Sequence, residues 1–266
     1  MPSPTVLFSS AAFFARPLAE TCRLAAESGF EGIEVMVTKD PSSQDPDVIA
    51  ETARAHGLRV GALHAPSLLI TRKVWGTDPV GKIRRAVEVA HAAEIPLVVT
   101  HPPYRWQATY RRWLRDGLPD LEDAAGVTVA VENMFPLVVG GRGLTFHADQ
   151  DLDALNGVHH LALDTSHAAV AKHDPLAVRR RFAERLRHVH LSDNAGKGRD
   201  SHLPPGEGVI DLDPLLDDLG AGGYEGAVTL EVDLRRHMTD ESRLLEVMRE
   251  MRERVEHRLS ARAAGS

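Results

Sequence analysis

Metal-competent side chains close one short apolar run after another along this chain. They are His64, His101, Glu132, Asp164 with His167 just beyond it, His190 and Glu231. Asp200 and His202 join them two apart in the segment RDSHLPPGEG (199–208). A single His or Glu at the end of such a run is ordinarily a cap or a hydrogen-bonded core residue. Consecutive runs that all end in His, Asp or Glu are different, because carboxylates brought together repel one another. A divalent cation is the simplest way to hold several acids beside neutral imidazoles. Nitrogen and oxygen ligands without sulfur suit Zn, Mn, Co or Fe, and this many imidazoles argue against a strict Mg site. In RDSHLPPGEG, Pro204, Pro205, Gly206 and Gly208 bend and fix the backbone. Taken alone, that stretch is equally an ordinary polar turn. Beside the other residues it reads as a fixed arch that leans Asp200 and His202 into the same centre.

Those residues must be positioned by elements that recur. An apolar or β-branched run is followed each time by an amphipathic segment. The runs are TVLFSS (5–10), GIEVMV (32–37), LRVGALHA (58–65), PLVVTH (96–101), VTVAVEN (127–133), HLALDTSH (160–167), RHVHLSD (187–193) and AVTLEVD (227–233). Helices are predicted over 17–28, 46–56, 78–93, 105–116, 148–155, 175–184, 213–219 and 240–259. Such a series predicts an α/β chain folded as a single (β/α)8 TIM barrel over residues 1–259, with a flexible C-terminal tail over 260–266. Near-continuous apolar runs are what parallel strands covered on both faces require. The alternative, an open doubly wound sheet, has no G-x-G-x-x-G after the first run to recommend it. In a barrel the run ends converge on one rim, where the catalytic residues of this architecture sit.

The 266 residues suffice for one large core. The lone cysteine, Cys22, sits in an apolar-periodic segment and reads as a small buried side chain, so no internal disulfide is expected. No run approaches the roughly 18 to 20 apolar residues of a membrane span, and no leader pattern opens the chain; a cytoplasmic location is expected. The net charge of −7 argues against duplex nucleic acid as partner, since phosphate neutralisation supplies most of that affinity. The arginines at 111, 112 and 115 and at 179–181 read as solvated helix faces.

HAP (64–66), THPP (100–103), VEN (131–133), LDTSH (163–167), HVHLSD (188–193), DSHLPPGEG (200–208) and LEV (230–232), in this order, resemble the xylose isomerase-like barrel superfamily. That superfamily also holds the endonuclease IV enzymes and the ketose 3-epimerases, and the resemblance covers nearly the whole chain. It implies a metal core of Glu132, Asp164, His190 and Glu231. In the sugar-acting branch it further implies that Glu132 and Glu231 are the acid/base pair and His167 a substrate contact, with proton transfer next to a metal-polarised carbonyl. The endonuclease IV branch adds ligands whose motif positions match His64, His101, His167, Asp200 and His202, and implies a trinuclear zinc site for phosphodiester hydrolysis. The segments after the first two strands, FSSAAFFARP and VTKDPSS, do not resemble the DNA-prying loops of that branch. The expectation is therefore a divalent-metal-dependent sugar, sugar phosphate or polyol isomerase or epimerase, holding one to three ions. The alternative is an endonuclease IV-like hydrolase.

Other side chains carry open readings. Lys197 and Arg199 could hold a phosphate or lie in a solvated loop, and Trp75 could stack on a substrate or pack against its own loop. Trp106, Tyr110 and Trp113 share one helical face, which reads as core packing before it reads as a base-stacking platform. His188 points the same way as His190 and is expected one layer deeper. Asp193 and Asn194 are expected to orient ligands from outside, and Glu207 to hold His202 or a bound water. Pairing into a homodimer is open.

Overall fold

The computed structural model describes residues 4–14, 16–67, 71–139, 142–144, 147, 152–221 and 223–260. In chain order the strands are β1 (Thr5–Ser9), β2 (Gly32–Met36), β3 (Arg59–His64), β4 (Leu97–Thr100), β5 (Thr128–Glu132), β6 (Leu137–Val139), β7 (Arg142–Leu144), β8 (Leu161–Asp164), β9 (Leu186–Leu191) and β10 (Ala227–Leu230). β6 and β7 form a separate antiparallel hairpin. The other strands close a parallel barrel in sequence order, with β10 returning to pair with β1. The helices are α1 (Leu18–Glu27), α2 (Pro46–Ala55), α3 (Pro79–Ala92), α4 (Ala108–Asp116), α5 (Leu118–Ala125), α6 (Thr165–Val170), α7 (Pro175–Phe182), α8 (Asp213–Ala221) and α9 (Glu241–Ser260). The open-sheet alternative is thereby excluded. No helix among the described residues is long and apolar enough to cross a membrane.

The local causes are readable. Asp45, Asp78 and Asp174 each precede a proline, and each carboxylate accepts backbone N–H groups of the helix it starts. The proline takes the first helical position, where its missing donor costs nothing. β2 is buried at every position, as expected of a strand under a ring of helices. At the N-terminal end of the barrel the chain must be small to admit Leu7. A Cβ on Gly61 would lie 2.6 Å from Leu7 Cδ1, and one on Gly32 2.7 Å from Leu7 Cδ2.

Several features depart from expectation. The segment predicted to be helical over 105–116 begins only at Ala108, because Gln107 closes a turn on Tyr104: its backbone N–H donates to Tyr104 O (2.8 Å) and its Oε1 accepts from Tyr104 N (2.9 Å). Gly117 then ends α4, and Pro119 near the next helix start opens α5, an additional helix. The hairpin β6–β7 follows β5 directly. Of the helix expected over 148–155, residues 148–151 lie outside the described residues, and a 3-10 turn occupies Ala154–Gly157. Of the tail expected over 260–266, Ser260 ends α9, and residues 261–266 lie outside the described residues as well.

Candidate metal centre

All the ligand-type side chains singled out at the strand ends meet on the C-terminal rim of the barrel. Their ligand atoms fall into overlapping groups, each with its atoms within 4.8 Å of one another: His64, His101 and Glu132; Asp164, His167 and His202; and Glu132, Asp164, His190 and Glu231. Asp200 joins the second group, its Oδ2 lying 2.8 Å from His202 Nε2 and 3.5 Å from His167 Nε2. Glu132 and Asp164 are shared between groups, which is what bridging carboxylates would do. Glu132 Oε2 lies 3.2 Å from His101 Nε2 and 3.6 Å from His64 Nε2, yet neither contact has hydrogen-bond geometry and the oxygen has no hydrogen-bond partner. Asp164 Oδ2 is likewise buried without one. Buried acceptors are normally satisfied. Orphaned oxygens among converging imidazole nitrogens fit divalent cations held by mixed N and O ligands.

The motifs build this centre through their backbones. Asp164 caps α6: its Oδ1 accepts from His167 N at 2.6 Å, which leaves Oδ2 for the cluster and sets His167 one turn away. Asn133 clamps the same strand end, accepting from Asp164 N (2.8 Å) and donating to Asp164 O (3.1 Å). Its own carbonyl accepts from His167 Nδ1 (3.0 Å). Thus VEN and LDTSH lock together. The arch after β9 is organised by buried Asp193, whose Oδ2 accepts from Gly206 N and Gly208 N and whose Oδ1 accepts from Asn194 N and Ile210 N. Asn194 Nδ2 donates to Ser166 Oγ, and Ser166 Oγ donates to Asp200 Oδ1 (2.6 Å). His202 sits at φ +40, a strained conformation for a non-glycine residue. The strand-like pairing of Asp193 with Leu203 and the bond from Asp233 N to His202 O (2.6 Å) hold it there.

Most of the imidazoles are anchored by one nitrogen and offer the other. Nδ1 of His64, His167 and His202 faces the carbonyls of Ala65 (2.9 Å), Asn133 (3.0 Å) and Glu231 (3.0 Å), so Nε2 faces the cluster. His190 is reversed. Its Nε2 lies 3.0 Å from Glu34 Oε2, and its Nδ1 lies 2.9 Å from Glu231 Oε2 and 3.2 Å from Glu132 Oε1. Glu34 was not foreseen. It lies within β2, fully buried, accepts from Ser9 Oγ (3.2 Å), and has His188 Nε2 2.8 Å from Oε2. Thr229 Oγ1 is 2.9 Å from the same His188 nitrogen. The available signal was a single charged residue inside an otherwise apolar run, GIEVM.

Burial works against every charge here, and the neighbours decide which charges survive. Burial pushes the Asp164 carboxyl up to about 6, against the pull of His167 and His202. For Asp200, Glu132 and Glu231 burial is outweighed by the adjacent imidazoles, and the carboxylates are held below their usual range. For His202 burial is outweighed by Asp164 and Asp200, which push the ring up to about 10. His167 and His190 are raised in the same way by the carboxylates around them, whereas burial lowers His101. Without a cation, protons on imidazole balance the carboxylates; a metal ion would displace them.

Above the cluster opens a cavity of about 530 Å³ lined by His64, His101, Glu132, His167, Asp200, His202 and Glu231. Phe13, Phe14, Met134 and Phe135 wall it. Glu132 is 1% exposed and Glu231 13%, so Glu231 is the more accessible of the two. Three residues expected near a substrate lie elsewhere. Lys197 and Arg199 are exposed on the loop after β9, and Trp75 is half-buried against the core. None of the three lines the cavity. Glu207 pairs with Arg236 rather than with His202. Trp106 precedes α4 and is 68% exposed, a correction to its expected core packing, whereas Tyr110 is buried and Trp113 packs partly against the core.

Residues 22–254 match the family described as xylose isomerase-like TIM barrel. An uncharacterized protein of Mycobacterium tuberculosis is 38% identical over 223 residues, 77% of this chain and 80% of the relative. Among solved structures, a D-tagatose 3-epimerase-like protein superposes with a TM-score of 0.66 at 22% identity, covering 94% of this chain and 98% of its own. An AP endonuclease, family 2, from Brucella melitensis superposes at 0.67 and 21% identity, covering 87% and 94%. Likenesses at that identity show the fold alone. With the match spanning most of the barrel, the chain belongs to the xylose isomerase-like TIM barrel family, whose members include sugar epimerases and isomerases and endonuclease IV-like enzymes.

Proposed function

We propose that this protein is a divalent-metal-dependent isomerase or epimerase of a small sugar, sugar phosphate or polyol, with Glu132 and Glu231 as the proton-transferring pair. The observation that carries this reading is that both carboxylates approach His190 Nδ1, at 3.2 and 2.9 Å, while both line one aromatic-walled cavity of small-molecule size. A divalent ion held by Glu132, Asp164, His190 and Glu231 supplies Lewis acidity beside a substrate carbonyl. Glu231 is the first base: His190 keeps it ionised against burial, and it is the more exposed of the pair. It removes the proton from the carbon next to the carbonyl. To change configuration, Glu132 takes a proton from solvent and gives it to the opposite face of that carbon, and Glu231 sheds its own to solvent; to move the carbonyl by one carbon, Glu231 gives its proton to the neighbouring carbon and Glu132 passes the hydroxyl proton from one oxygen to the other. His167 contacts a substrate oxygen through Nε2, its Nδ1 being committed to Asn133 O. Phe13, Phe14 and Phe135 exclude water while the proton is in transit.

The test is a panel of aldoses, ketoses and their phosphates incubated in heavy water with metal-loaded protein. Deuterium should enter at carbon for at least one of them, and Glu231→Gln and Glu132→Gln should each abolish it. Absence of exchange across the panel, with cleavage of bis-p-nitrophenyl phosphate, would replace this reading by the second. That second reading, an endonuclease IV-like phosphodiester hydrolase, is favoured by the convergence of His64, His101, Asp200 and His202 with the core, which offers ligands for more than one ion. In that case His101→Ala and His202→Ala should each remove the cleavage.

A further inference from the structure

A second cavity, of about 450 Å³, lies between the loops that follow β3 and β4, and His101 contributes to its wall as well as to that of the metal-centre cavity. Among the described residues its lining includes Arg72 and Lys82 and no Asp or Glu, in a chain whose net charge is −7. Lys82 is only 8% exposed. Its Nζ donates to two neutral carbonyls, Pro66 O (2.8 Å) and Thr71 O (3.1 Å), which leaves one of its N–H groups uncommitted in those bonds. Burial pushes its ammonium down, and the charge that adds to this is Arg72, of the same sign. A buried ammonium beside a second cation, with no acid among the described lining residues, is costly until an anion joins them.

The mouth of the same cavity carries a stack of rings. Tyr104 and Trp106 lie parallel, centroids 4.9 Å apart and planes 3° apart, and His147 covers Tyr104 at 4.5 Å. His147 is itself fixed, its Nδ1 lying 2.9 Å from Pro102 O. The stack holds Trp106 at the surface, 68% exposed, an apolar face in the lining that also carries the two cations.

We propose that this cavity binds the phosphate of a phosphorylated sugar, Arg72 and Lys82 taking the oxyanion and Trp106 lying against the ring that carries it. A guanidinium and an ammonium are the usual partners of phosphate oxygens, and an indole face suits the C–H face of a pyranose. Lys197 and Arg199, the cations that the sequence alone suggests, line neither cavity. The assignment rests on reading the metal centre as one that acts on a sugar.

The test uses metal-depleted protein, so that no bound ion can hold phosphate, and titration calorimetry with glucose 6-phosphate, inorganic phosphate, gluconate and glucose. Glucose 6-phosphate and inorganic phosphate should bind saturably, and Arg72→Ala should weaken both by about 10-fold or more, the scale of a lost charge-assisted hydrogen bond. Lys82→Gln should do the same, with its fold checked by circular dichroism. Trp106→Ala should weaken the sugar phosphate and leave inorganic phosphate unchanged. The double variant Lys197→Ala/Arg199→Ala should bind as the parent does. No saturable binding, or an affinity that Arg72→Ala does not change, overturns the proposal, as does loss of binding in the double variant. Gluconate bound as tightly as glucose 6-phosphate overturns phosphate as the group recognised. Failure here leaves deuterium exchange at the metal centre untouched, and failure of exchange leaves this binding untouched, so the two readings fall separately.

Discussion

His190 turns Nδ1 toward Glu132 and Glu231 because Glu34 holds its Nε2. A carboxylate behind a ligating imidazole fixes which nitrogen carries the proton and raises the basicity of the other. Glu34→Gln keeps the volume and removes the charge, so metal affinity should fall by about 10- to 100-fold, the usual range for such outer partners. Competition with a chromogenic chelator measures it, and an unchanged affinity would show that Glu34 does not tune the site. Cys22 offers a second check at this scale. Burial pushes its thiol up to about 12, so almost no thiolate exists at neutral pH, and a thiol reagent should label it only after denaturation. Most of the candidate ligands were legible because they stand at the ends of apolar runs, and Asp200 and His202 because prolines and glycines fix the bend that carries them. Glu34 was not, because it sits between Ile33 and Val35 in mid-strand, where a residue on the barrel's inner face cannot be told from one facing the helices. Trp106 was misjudged for a related reason: its spacing to Tyr110 and Trp113 is helical, but the turn at Gln107 starts the helix after it.

At the scale of elements, the arch after β9 depends on glycine. A Cβ on Gly208 would come 2.3 Å from both Asn194 O and Asp193 Oδ1, where neither backbone nor the buried carboxylate can give way. Gly208→Ala should therefore break the Asp193 hub and release Asp200 and His202. The expected result is a stability loss of about 1–3 kcal/mol, typical of forced overpacking, with a lower metal content per chain. A thermal melt with metal analysis reads both, and a variant with the parent's melt and metal content would contradict it. The Asp-Pro helix starts and the order of the strands were legible for local reasons, since a cap and a proline act within one turn. The hairpin β6–β7 and the break between α4 and α5 were not, because the loop after a barrel strand answers to its neighbours in space rather than to its own periodicity.

For the whole molecule, the cluster links metal, protons and stability. In the metal-free protein His202 is raised from 6.5 to about 10, so its contribution is fully present below pH 6.5 and is lost as pH rises through about 10. Asp164 is raised from 3.8 to about 6, so the folded state favours its protonated form and loses that advantage as pH rises through this range. Both make the metal-free protein less stable as pH rises. A metal ion replaces the displaced protons and binds the folded state alone, so the rise in Tm on adding metal should grow from pH 6 to pH 9. Paired melts with and without metal test this, and a metal-induced rise that shrinks with pH would contradict it.

Metal content tests the central claim most directly. Protein purified without chelator and analysed by inductively coupled plasma mass spectrometry should carry at least one tightly held divalent ion per chain. Asp164→Asn, which removes one of the shared carboxylates, should carry far less. Wild-type protein that holds no metal, and takes up none from Mn, Zn or Co at neutral pH, would contradict the metal centre.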